Sequence, residues 1–160
     1  MYDAFDLILT LCGMPTIIDA TLVSPLGAPP SYLRELTGHF SAMLKLPKGC
    51  TATIHASDSS VQWTRRTHCL AEQGQLYLGD DAYQLWNVEG QLVDSLDSDA
   101  SNPVNATELI TSQWQRMIEH HISTPAPDPR KILACCQAAL LSARTNAQES
   151  PESMLRLAGM

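Results

Sequence analysis

The chain reads as an α+β domain: one helix, a run of short strands, then two helices, with the strands in an open, mixed but mostly antiparallel sheet that carries its helices on one face. Three observations predict this. Runs rich in β-branched and aromatic residues sit between Gly and Pro turns from Thr16 to Ser95. Helical spacing of apolar residues returns only after Asn102. Strands and helices are therefore segregated, where a parallel sheet would need them to alternate. With 160 residues, 44% hydrophobic and 17% charged, residues 1–160 are expected to form a single domain able to bury a core.

The first element, Tyr2 to Cys12, is a helix apolar on most sides, stopped by Gly13 and Pro15, and is expected to be heavily buried. It has no capping residue or entry loop ahead of it, which a missing upstream segment would explain. Thr16 to Val23 follows as a strand, ending at a loop with Pro25, Gly27, Pro29 and Pro30. His39 to Leu46, the turn Pro47-Lys48-Gly49 and Cys50 to Ser57 make a hairpin. Trp63 to Glu72, Gln75 to Gly79, Tyr83 to Val88 and Gln91 to Ser95 continue as a meander with turns at Gly74, Asp80 and Gly90.

Asn105-x-x-Glu108 matches a capping box, and a helix runs from there to about His121. Asp128-Pro129 opens the next helix, whose residues Ile132, Cys136, Leu140 and Ala143 form one apolar stripe up to Asn146. The tail from Ser150 to Leu155 forms one more short helix or lies across the surface. The far face of the sheet is either wet or covered by another protein surface. Thr51, Thr53 and His55 alternate with Ala52, Ile54 and Ala56, a pattern too weakly amphipathic to decide between these.

Composition excludes several classes. Ten Lys plus Arg against 17 Asp plus Glu give a net charge of -7, which repels nucleic acid and anionic membrane surfaces. Phe5 to Cys12 is far short of the roughly 20 residues that span a bilayer. No export signal opens the chain, so a cytoplasmic location is expected. Five cysteines (Cys12, Cys50, Cys69, Cys135, Cys136) without a CxxC pair fit neither a disulfide framework nor a zinc site, and are expected to be reduced core residues.

Chemistry-bearing patterns are sparse. No GxGxxG occurs, and the Gly74–Gly79 spacing is followed by Asp80 where a phosphate-binding loop would have Lys, so no cofactor-binding residue is assigned. His120 and His121 point about 100° apart on a helix and do not share a metal comfortably. His39, His55 and His68 lie on separate strands without a carboxylate or Cys at ligand spacing, so no metal site is assigned either. Ser57-Asp58-Ser59-Ser60 is a turn, and His68 and Cys69 point to opposite faces of a strand. Trp63 and Arg65 would share a strand face, with Arg66 on the other, as a sugar- or anion-binding cluster or as a solvated edge. Asp3 and Asp6, one helical turn apart, could form an acid/base or sugar-binding pair, or simply favour the first turn electrostatically.

The segment Gly38-His39-Phe40-Ser41-Ala42-Met43-Leu44-Lys45-Leu46-Pro47-Lys48-Gly49-Cys50-Thr51-Ala52-Thr53-Ile54-His55-Ala56-Ser57 resembles the central hairpin of the Gfo/Idh/MocA oxidoreductases. Arg66 to Leu78, with its Gly74-Gln75-Leu76-Tyr77-Leu78 return, Leu11-Cys12-Gly13-Met14-Pro15 and Leu141-Ser142-Ala143-Arg144 follow the same pattern in the same order. The resemblance implies a carboxy-terminal domain that helps bind a sugar, polyol or related hydroxylated substrate and forms the oligomer interface. Its amino-terminal Rossmann domain, which would bind NAD or NADP and supply a catalytic lysine, lies outside this chain, which is then inactive alone.

The resemblance also implies site residues. The family's D-x-G-x-H motif has a variant D-W-G-x-Y-D, whose end matches Tyr2-Asp3. Tyr2 would then be a proton donor and Asp3 would line the substrate pocket, with Asp6 beside it. Aligned from Gly13, Asp3 instead takes the place of the motif's histidine. Expected partners are a second copy of the chain and a small-molecule substrate. The alternatives are a stand-alone dimerisation or ligand-binding module without enzymatic activity, and a hydrolase built on His55, His68 and a nearby acid.

Overall fold

Lys48 takes a left-handed conformation (φ 61°) between Pro47 and Gly49. That reversal returns the strand Thr51–Ser57 (β3) along His39–Lys45 (β2), with Lys45 opposite Thr51 and His39 opposite Ser57. On its other side β2 pairs antiparallel with Ile17–Val23 (β1), so β2 is the centre of a three-stranded sheet. Side chains alternate across each strand. Ile18, Ala20, Phe40, Ala42, Leu44 and Ile54 are consequently buried on one face, while Thr21, His39, Met43, Lys45, Thr53 and His55 are exposed on the other.

This is a computed structural model describing residues 1–24, 27, 31–33, 37–59, 64–79, 82–96, 111, 115 and 128–159. They fall into two compact units, one formed by 1–60 with 125–160 and the other by 61–124.

In the first unit the buried face of the sheet is covered by Pro129–Thr145 (α2). Asp128 caps this helix by accepting from the Arg130 backbone N–H at 3.1 Å, Pro129 occupies the first turn, and Asn146 ends it in the left-handed region. The expected stripe Ile132, Cys136, Leu140 and Ala143 is buried, and so are Ala134, Cys135, Ala138, Ala139 and Ser142. These small side chains let the helix backbone approach the sheet. The closest tie is polar, with the Ala20 N–H donating to Ser142 Oγ at 2.9 Å.

The outer edge of β1 is closed further along by Glu149, which exchanges two backbone hydrogen bonds of 2.8 and 2.9 Å with Ile18. An unpaired strand edge is a template for unwanted pairing, and this edge is occupied instead. Pro151–Leu157 (α3) then packs on α2.

Tyr2–Cys12 (α1) rests on α2 through Phe5, which is 0% exposed, with Ile8 and Leu9 partly buried beside it. The expectation of a heavily buried first helix is not met. Phe5 is its single fully buried residue and Leu11 is 55% exposed, because α1 docks along one stripe, with Ala4, Ile8 and Leu9 only partly buried beside Phe5. No side chain caps its amino terminus.

The second unit contains Thr67–Ala71 (β4), Gly74–Leu78 (β5), Tyr83–Trp86 (β6) and Leu92–Leu96 (β7), paired antiparallel in that order. Gly74 (φ +145°) starts β5 where a Cβ would run into the Trp86 carbonyl oxygen, so glycine is required there. A β-bulge at Leu85/Trp86 shifts the register against β7. No described residue of these four strands is fully buried.

The α+β class expected from the sequence is the observed one. Two details differ. The strands form two sheets, and every described pairing is antiparallel, since no described helix crosses over between neighbouring strands to allow a parallel pair. β4 begins at Thr67, so Arg65 and Arg66 precede the strand and do not alternate on it; Trp63 lies outside the described residues. The helix expected at 105–121, with His120 and His121, also falls outside them, apart from Thr111 and Gln115.

Replacing Ser142 with Ala leaves the buried Ala20 N–H without an acceptor. Chemical denaturation should show a loss of about 1–3 kcal/mol of stability. An unchanged denaturation midpoint would mean that the packing of α2 on β1 does not depend on this bond.

Candidate functional site

The residues singled out at the start of the chain share one helix. Asp3 and Asp6 are three positions apart on α1, and Tyr2 and Asp6 four apart, so all three lie along neighbouring rows of its surface. The docking of Phe5 sets their exposure. Tyr2 is 44% exposed and Asp3 is exposed, while Asp6 is half-buried. Asp6 Oδ1 is shielded from solvent and accepts no hydrogen bond. A buried carboxylate oxygen without a donor is costly, and it becomes favourable when an outside hydroxyl or ammonium group supplies one.

The exposed face of the first sheet carries a different arrangement. Ser41 and His55 sit directly opposite each other, with Ser41 Oγ 2.9 Å from His55 Nδ1 and Thr21 on the far side of Ser41. A hydroxyl beside an imidazole is half of a nucleophilic site. The other half is missing here, because β2 pairs on both sides along its whole length. Its backbone N–H groups are consumed by the ladders and cannot stabilise an oxyanion above Ser41. His68, the other histidine of the hydrolase alternative, belongs to the second unit.

On one face of the second sheet, His68 and Tyr77 stack with ring centroids 4.0 Å apart and 13° between planes. Gln75 Oε1 accepts from the Tyr77 hydroxyl at 3.3 Å and lies 3.4 Å from His68 Nε2. Register places Trp86 on the same face, opposite Gln75, and its indole Nε1 is buried without an acceptor. Cys69 points to the opposite face from His68, as the alternation predicts. On that opposite face the Tyr83 hydroxyl donates to Asp94 Oδ2 at 2.8 Å. This bond, with some desolvation and the nearby negative charge, holds the Tyr83 pKa above its ordinary value.

The cysteines divide by position. Cys135 and Cys136 are core residues, as expected, and burial pushes their thiols up to about 12 and about 11. They stay protonated and chemically quiet at neutral pH. The expectation fails for Cys12 and Cys50, which are exposed, and for Cys69, which is half-buried, because each sits at a helix end, after a turn or on a sheet with little cover. None of the five forms a disulfide. Among the described residues no three His, Cys, Asp or Glu side chains gather to hold a metal.

A dinucleotide needs a glycine-rich turn joining a strand to a helix in a parallel βαβ unit. The described strands are antiparallel and none of their turns opens onto a helix amino terminus in that way. Among the described residues there is no such turn to cradle NAD or NADP.

Sequence reasoning missed the Ser41–His55 pair and the His68–Tyr77–Gln75 cluster. The first was within reach, because Ser41 and His55 are equidistant from Lys48 at the centre of the hairpin turn. The second depends on the β4–β5 register around Gly74.

No protein-family model matches the chain and no curated protein does. Solved structures do. An oxidoreductase from Agrobacterium radiobacter, crystallised with NAD+, L-tartaric acid and magnesium, superposes with a TM-score of 0.65 at 18% identity over 96% of this chain and 48% of its own. A UDP-N-acetylglucosamine 3-dehydrogenase from Acidithiobacillus ferrooxidans gives 0.63 at 18%, over 91% of this chain and 46% of its own. An aldose-aldose oxidoreductase from Caulobacter crescentus gives 0.65 at 16%, over 93% and 45%.

The fold is that of Gfo/Idh/MocA-type oxidoreductases. The chain spans about half the length of each of these enzymes. Among the described residues, no helix is long and apolar enough to cross a membrane.

The Tyr83–Asp94 bond has a measurable pH signature. Its contribution to stability is fully present below the unfolded tyrosine value of 10.0 and is lost as pH rises through the higher folded value. In an ultraviolet phenolate titration, Asp94→Ala should move the Tyr83 transition to lower pH. An unchanged titration curve would contradict the bond.

Proposed function

We propose that the chain is the substrate-binding and oligomerisation domain of an NAD(P)-dependent oxidoreductase acting on a sugar, polyol or related hydroxylated substrate, and that it is inactive alone. The observation that carries this reading is the superposition on about half of three oxidoreductases, two of them named for sugar chemistry. The lack of fit to a dinucleotide among the described residues agrees with a cofactor held by an amino-terminal Rossmann domain outside residues 1–160. That domain would supply hydride transfer.

On this reading α1 lines the substrate pocket. Tyr2 donates the proton to the carbonyl oxygen when the carbonyl is reduced to the hydroxyl, and Asp3 orients that hydroxyl. Asp6 Oδ1, buried and without a donor, receives a second hydroxyl of the same substrate. Two hydroxyls held on one helix face suit a polyol or sugar better than a simple alcohol. The domain acts in the cytoplasm, consistent with five cysteines and no disulfide, and its partners are a second copy and the substrate, with neither nucleic acid nor membrane.

A second reading, a stand-alone dimerisation or ligand-binding module, draws on the completeness of the first unit. Its helix α1 is regular from Tyr2 onward and Phe5 is fully buried, so the unit closes its own core.

Joined in one chain to an amino-terminal NAD(P)-binding Rossmann domain, the protein should form NAD(P)H with an aldose, polyol or nucleotide sugar. Tyr2→Phe or Asp3→Asn should then lower kcat roughly a hundredfold, and Asp6→Asn should act mainly on KM. Turnover unaffected by Tyr2 and Asp3 would remove them from the site. Light scattering across a dilution series should give a stable dimer, since Leu70, Tyr77, Leu92 and Leu96 are exposed on the second sheet. A strict monomer at high concentration would remove the oligomerisation role.

A further inference from the structure

We draw no further inference here: the strongest candidate, the ring-and-amide face of the second sheet formed by His68, Tyr77, Gln75 and Trp86, is an unpartnered sheet face and nothing in the structure shows what covers it.

Discussion

The first unit depends on how closely α2 lies against β1. Ala134, Ala138, Ala139 and Ala143 are buried on that helix with Ser142 among them, and small side chains are what allow a helix backbone to approach a sheet. Close approach excludes water from the edge of β1, so the Ala20 N–H must find a protein acceptor, and Ser142 Oγ is that acceptor. Glu149 does the same for Ile18 just past the end of the helix. With the edge closed and the inner face covered, the opposite face of the sheet is left polar and open. α1 docks on the same helix through Phe5, so the placement of Tyr2, Asp3 and Asp6 is inherited from α2.

Much of this was legible in the sequence, for reasons tied to particular residues. Pro129 after Asp128 and Asn146 after Thr145 are strong end signals, and α2 begins and ends where they stand. The turn at Lys48 fixed the β2–β3 hairpin because a left-handed residue between Pro and Gly leaves the chain one way to return. Burial of α1 was overestimated because its composition is apolar all round, whereas docking uses one stripe. The fourth strand is shorter than its composition suggests, since it begins at Thr67 and leaves Arg65 and Arg66 ahead of it.

The candidate site was less legible than the fold. Tyr2 and Asp3 came from a motif resemblance, which assigns roles without geometry, and Asp6 from a three-residue spacing. Its unsatisfied oxygen is a tertiary property, arising from how α1 lies in the first unit, and no local pattern announces it. The Ser41–His55 pair shows the reverse. Its residue types suggest chemistry, but its seat on a central strand consumes the backbone donors a nucleophilic site would need. Proximity of reactive side chains is therefore a weaker guide here than the state of the backbone around them.

The proposed role requires a cofactor domain encoded ahead of this one. The most direct measurement is the nucleotide sequence immediately upstream of the Met1 codon. A continuous reading frame encoding a strand, a GxGxxG turn and a helix, with a lysine motif further along, is the expected result. An in-frame stop codon followed by an unrelated gene would contradict it, and would leave the stand-alone module as the better description.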